Sequence, residues 1–285
     1  MNTMKTMKTG IILGLSFLFM IANPFEASAK KKIELKYKLS KNEKFVSKTN
    51  IDQNVEMEAN GQTMNIQIVM NIDILTKVSK VEKNSIETSN SIQKITMSQT
   101  MFGQTLNFDS SKPETYASGQ GKQIGAAMNK LLNKSYTLSI DDWGNLVGFN
   151  MDKLTEGGNN VSGDITSGTD FIVFPKHKVS VGDTWEAAIK PLKNSPANVY
   201  VKYTLKKISG NKAIIDIEGT IKGRVVDGKD MHMTGYQSGV ATVNIKNGWT
   251  TNLKIDQEIK MTLDKNGTKI PMTVNATITK VSTPE

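Results

Sequence analysis

The chain has two histidines, and neither has the neighbours that imidazole chemistry needs. His177 stands between Lys176 and Lys178, and His232 stands between Met231 and Met233. Neither has a second His or a Cys at metal-ligand spacing, so zinc and iron centres are not expected. Asp230 and His232 could share a site with a serine, but a Ser-rich chain offers that combination on paper in many places. Both histidines read as exposed loop residues. Asp141-Asp142 could ligate calcium or work as paired carboxylates, yet the spacing is not that of a calcium loop. Followed by Trp143-Gly144-Asn145, the pair reads as a β-turn. Glycoside hydrolysis needs two carboxylates facing each other across a cleft, and no such pair stands out. Gly119-x-Gly121-Lys122-x-x-Gly125 has the look of a phosphate loop. It lacks the glycine five residues before Gly121, and Gln123 stands where Ser or Thr would bind magnesium. It reads as the start of a helix. The expectation is a non-enzymatic protein with no metal and no cofactor.

The apolar residues carry a more specific message. Met57, Met64, Met70, Met261 and Met272 fall on the apolar side of long alternating segments. Methionine is flexible and polarizable, and it suits surfaces that accept variable apolar ligands. With Ile66, Ile68 and Ile72 these residues form the candidate binding set for a lipid or other apolar or amphiphilic ligand. The competing reading is an ordinary core, which is what apolar stripes usually form.

Those side chains need long strands to position them. Met64, Ile66, Ile68, Met70, Ile72 and Ile74 alternate with Asn65, Gln67, Asn71 and Asp73, the period of a half-buried strand. Extended through Val78, this strand spans about 50 Å, which suits a large curved sheet. Phe45, Ile51, Val55 and Met57 alternate before it, joined through Asn60-Gly61, a strong hairpin signal. A turn near Lys83-Asn84 leads into Ser85 to Met97. The C-terminal part repeats the plan. Leu253, Ile255, Ile259, Met261 and Leu263 alternate, Asn266-Gly267 turns, and Ile270, Met272, Val274, Ala276 and Ile278 return. Ile51-Asp52-Gln53 matches Ile255-Asp256-Gln257, and Thr76-Lys77-Val78-Ser79 matches Thr279-Lys280-Val281-Ser282. This reads as a degenerate internal duplication of a long hairpin.

Between these ends, Gly119 to Asn133 has helical spacing at Ile124, Met128, Leu131 and Leu132. Tyr136, Leu138 and Ile140 alternate, and Leu146 to Phe149 return after the Asp141-Asp142 turn. Residues 156–169 are rich in Gly, Asn, Ser and Thr and read as a loop or flap. It separates a first half, 30–155, from a second, 170–285. Val179 to Ile189, a hairpin through Ser209-Gly210-Asn211-Lys212, a strand at Ala213 to Ile221, a polar connection over 222–235 and a strand at Gly239 to Ile245 follow. The expected fold is mainly β: one domain over 30–285, a large curved antiparallel sheet or open half-barrel with one covering helix.

The compartment is read from the first residues. Lys5 and Lys8 precede an apolar run from Ile11 to Ile21, Asn23-Pro24 breaks it, and Ala27-Ser28-Ala29 supplies a small-x-small cleavage site. This is the layout of a secretory signal peptide over 1–29, cleaved after Ala29. No later stretch is long and apolar enough to cross a membrane. The chain has no Cys, which excludes lipid attachment through a cysteine and favours a bacterial periplasmic or extracellular protein over a disulfide-bonded one. The formal charge is +9. Arg224 is the only arginine and the lysines are scattered, so a nucleic-acid partner is not expected.

Phe174-Pro175 followed by Val179-Ser180-Val181-Gly182-Asp183-Thr184-Trp185 resembles a stretch found in an uncharacterised family of exported β-rich bacterial proteins, a domain of unknown function. The resemblance in layout covers nearly the whole chain after the signal. It implies export and a β-rich body, and it brings no catalytic residue. Physically, Gly182-Asp183 makes a turn and Trp185 anchors the next strand. The curved sheet with a covering helix is also similar to the half-barrel of lipoprotein-carrier proteins, an analogy of fold alone. Two functions are carried forward. One is an exported binder of an apolar ligand within the sheet. The other is a structural or protein-interaction component of the envelope, with a packed core and activity in the 156–169 loop.

Overall fold

The structure is a computed structural model that describes residues 31–59, 61–132, 134–150, 171–189, 197–223, 225–226, 229–230, 232–265 and 268–285. The expected signal and the 156–169 loop lie outside the described residues. The alternating segments form strands β1 (Lys44–Ala59), β2 (Gln62–Glu82), β3 (Ser85–Met101) and β4 (Gln104–Asp109). Helix α1 (Gly119–Asn129) and strands β5 (Ser135–Ile140), β6 (Leu146–Asn150) and β7 (Thr184–Ile189) follow. Then come β8 (Ala197–Ser209), β9 (Lys212–Gly223), a short pair β10 (Val225–Val226) and β11 (Lys229–Asp230), β12 (Thr234–Asn244), β13 (Thr250–Lys265) and β14 (Thr268–Pro284).

One large sheet runs in the order β6-β5-β3-β2-β1-β14-β13-β12-β9-β8-β7, with β4 beside β3. Each ladder between these strands is antiparallel. The chain is therefore an up-and-down meander whose first and last strands, β1 and β14, pair in the middle of the sheet.

The expected strand from Val179 is shorter than its pattern. Val179 makes a single bridge to Ile33, and the strand starts at Thr184. The turn between them is held by the Ser180 N–H donating to Asp183 Oδ2 at 2.8 Å. The polar connection over 222–235 carries the small β10–β11 hairpin.

Inward-facing side chains come in cross-strand rows. At one end the rows are closed by aromatic rings. Phe45 stacks on Trp249, and Tyr37 packs on Phe171 and Phe174. The segment 31–39 supplies part of this plug: Ile33, Leu35, Tyr37 and Leu39 are buried, while Glu34 and Lys38 are exposed. It is tied to three separate loops. Its Ile33 N–H donates to the Val179 carbonyl, its Tyr37 N–H to that of Asp142 and its Lys38 N–H to that of Asn247. Trp185 is buried and donates from Nε1 to the Val173 carbonyl at 2.7 Å, the anchor expected from its motif.

β12 and β13 approach closely at Gly239. At Gly239 a Cβ would collide with the Lys254 carbonyl oxygen and lie 2.7 Å from Ile255 Cδ1, so only a glycine lets β13 approach there. Two bulges add twist to the β2–β3 ladder: Gln93 of β3 is the extra residue at Asp73/Ile74, and Ser79 of β2 at Val78/Lys80.

The two internal matches fare differently. Ile51, Asp52 and Gln53 pair with Ile278, Thr277 and Ala276 of β14, and these pair in turn with Ile255, Asp256 and Gln257. The two tripeptides thus lie in equal register on either side of one strand. The Thr-Lys-Val-Ser segments do not correspond. Val78 is fully buried and Val281 is 50% exposed. They lie an odd number of residues apart on strands with matching inner parity, so side-chain alternation sends them to opposite faces.

Candidate functional site

The eight candidate residues all face the inner side of the sheet, but they divide by depth. Ile72 is 2% exposed and belongs to the main core, and Ile68 and Met70 pack against that core. Met70 opposes Met97, itself buried. These deeper positions hold the sheet together. Ile66 and the other four methionines lie toward the opposite end from the aromatic plug and are half-buried.

There the register does something specific. Met64 of β2 pairs with Met57 of β1, Met57 pairs with Met272 of β14, and Met272 pairs with Met261 of β13. Four adjacent strands therefore present four methionines in one unbroken row. Directly opposed residues on one face stand about 4.5–5.5 Å apart at Cβ. One row deeper lie Ile66, Val55, Val274 and Ile259. Met261 also packs against a small cluster of Ala197, Ile221 and Met233. Val55, Val274, Ile259 and Met233 belong to this surface and were not among the candidates. For Val55, Ile259 and Val274 the signal is their alternation on β1, β13 and β14; Met233, just before β12, has none. A polar belt crosses the same interior one row further in, where Gln53 and Gln257 flank Ala276 and Gln257 opposes buried Gln237.

The outer face carries a groove of about 370 Å³ over β1, β12, β13 and β14. Asp52, Asp256 and Glu258 line it beside Tyr236 and Thr277. Thr277 Oγ1 donates to Asp256 Oδ1 at 2.6 Å. That bond, helped by Lys254 Nζ at 3.2 Å, holds the Asp256 carboxyl below its usual range.

The residues considered for catalysis have local explanations. His177 and His232 are both exposed. Asp141 caps its own turn, accepting the N–H groups of Trp143 and Asn145 at 3.0 and 2.9 Å, and Asp142 pairs with Lys36 at 2.8 Å. Gly125 lies under Tyr116, whose ring packs on Phe108, so this glycine, midway along α1, makes room for the aromatic ring that precedes the helix. Among the described residues, no group of three or more His, Cys, Asp or Glu could hold a metal ion. No described helix is long and apolar enough to cross a membrane.

Similarity to known proteins lies in the fold. Lipovitellin, described for its lipid–protein interactions, superposes with a TM-score of 0.55 at 6% identity, over 86% of this chain and 25% of the other. The chain thus spans about a quarter of that protein. The translocator domain of the autotransporter NalP from Neisseria meningitidis aligns over 85% of this chain and 89% of its own, at 7% identity and a TM-score of 0.36. No curated protein matches the sequence. Residues 166–250, which include the Val181-Gly182-Asp183-Thr184-Trp185 stretch, match the model of a family described as a family of unknown function (DUF6263).

Proposed function

We propose that the chain is an exported, non-enzymatic protein that holds an apolar or amphiphilic ligand against the inner face of its sheet, at the methionine end. The reading rests on the row Met64–Met57–Met272–Met261, half-buried and backed by a purely aliphatic row. Flexible thioether side chains adapt to acyl chains of differing shape, and a half-buried apolar surface gains on the order of 25 cal/mol per Å² when a ligand covers it. Lipovitellin, described for its lipid–protein interactions, offers a precedent of like fold for such a use. Export is supported by the signal-like first residues.

Native mass spectrometry with lipid extraction on the protein purified from its own envelope tests this. The expected result is a co-purifying lipid that is lost in Met57→Asp and Met272→Asp, both at half-buried positions. Ile72 is unsuited to this test, because a charge at a fully buried site would break the fold. A clean apo mass, with no gain on incubation with envelope lipids, overturns the reading.

A further inference from the structure

The methionine row has a second chemical property, independent of its apolarity: it concentrates thioether sulfur. The chain has no cysteine, so these sulfurs are its softest donors. Met57 stands between Met64 on one side and Met272 on the other, and Met272 continues the row to Met261. Neighbouring side chains in such a row start about 5 Å apart at Cβ. Each has three rotatable bonds through which to turn its sulfur toward a shared point. Curvature of the sheet toward this face brings their ends closer still.

The surroundings select the kind of ion. One row deeper are Val55, Ile66, Val274 and Ile259, and one row further out the same face of the β13–β14 hairpin carries Leu263 and Ile270. None of these supplies an oxygen ligand, and Gln62, paired with Ala59 one row out on the β1–β2 hairpin, offers a single neutral amide oxygen where calcium takes about six to eight. Zinc takes thiolate, imidazole or carboxylate, and this face offers none of the three in the row. Thioether sulfur in a low-charge, apolar setting favours a soft monovalent ion. Half-burial leaves the row reachable from solvent.

We propose that Met57, Met64 and Met272, with Met261 as a further donor, form a thioether site for Cu(I). Binding is simple coordination: sulfur lone pairs displace the ion's previous ligands, with no change of oxidation state.

The test is an anaerobic titration in which the purified chain competes with bicinchoninate for Cu(I). The expected result is withdrawal of one copper equivalent from the chelator, with a sulfur-only coordination shell by X-ray absorption. Met57→Leu combined with Met272→Leu keeps volume and apolarity. It is expected to abolish copper uptake while leaving circular dichroism and melting unchanged. Met97→Leu, in the core outside the row, is expected to bind copper as the parent does. If the double variant proves unstable, Met64→Leu combined with Met261→Leu asks the same question from the flanks. No withdrawal from the chelator, undiminished uptake by the leucine variants, or a nitrogen and oxygen shell each overturns the proposal. Copper uptake is read on delipidated protein by competition with the chelator, and lipid by native mass, so copper bound without any envelope lipid, or lipid without copper, separates the two readings.

Discussion

Phe45 and Trp249 stack with ring centroids 3.9 Å apart and planes 13° from parallel, at the closed end of the sheet. Phe45 belongs to β1, and Trp249 immediately precedes β13. The indole also donates to Ser282 Oγ of β14 at 2.8 Å, which in turn accepts from Ser47 Oγ at 2.9 Å. Both long hairpins are therefore joined through one tryptophan. Trp249→Ala is expected to cost about 3–5 kcal/mol, and Trp249→Phe distinctly less, because it keeps the stack and loses the hydrogen bond. Urea denaturation midpoints measure both, and equal losses would contradict this account.

Tyr37 holds the segment 31–39 against the loop that leads to β7. Its hydroxyl accepts the Ile172 N–H at 3.0 Å and donates to the Ile172 carbonyl at 3.3 Å, fully buried. Tyr37→Phe leaves both backbone groups buried and unpaired, a loss of about 1–3 kcal/mol. Hydrogen exchange at the Ile172 amide should accelerate more than at Ile33, whose backbone bond to Val179 is untouched.

Burial pushes the Tyr203 phenol up to about 12 from its ordinary 10.0, partly offset by a backbone hydrogen bond at Val173. The folded state thus keeps this proton after the unfolded chain has lost it. The contribution is complete below pH 10 and is lost as pH rises through the folded value. Stability of the parent should fall between about pH 10 and 12. That slope should flatten in Tyr203→Phe, as read from denaturation midpoints taken across the range.

Gly239→Ala forces a methyl group into the β13 backbone at Lys254 and against Ile255. Overpacking of this kind costs about 1–3 kcal/mol. The melting temperature should drop by several degrees with no change in the far-ultraviolet spectrum, since the strands on either side survive.

His177→Ala replaces an exposed side chain. It should change stability by less than about 0.5 kcal/mol and leave lipid retention as in the parent. Loss of a measurable hydrolytic activity on this substitution would point to a hydrolase instead.

Much of the architecture was written in alternation. Asn60-Gly61 and Asn266-Gly267, each a two-residue hairpin signal, already place Met57 opposite Met64 and Met261 opposite Met272, as the ladders have it. The junction between those pairs was not legible. The Met57–Met272 contact depends on β1 pairing with β14, a long-range choice that no local turn specifies. For the same reason the depth of Met70 and Ile72 was hidden: period two reports which face a residue takes, while the plug of Tyr37, Phe45 and Trp249 decides how deep that face runs. Parity itself rules out the Thr76 to Ser79 match, because an odd offset between strands of equal inner parity puts the two segments on opposite faces.

The pairing of β1 with β14 has a kinetic meaning. Lys44 meets Glu285 across 241 residues of chain, so the central ladder cannot zip until the farthest strand is present. Such non-local closure makes folding slow. Until it happens, β1 and β14 each expose an unpaired edge along their full length, the condition under which strands recruit foreign partners. Refolding from denaturant should accordingly show a late, slow phase carrying Trp249 fluorescence, and a window of aggregation that closes when that phase is complete.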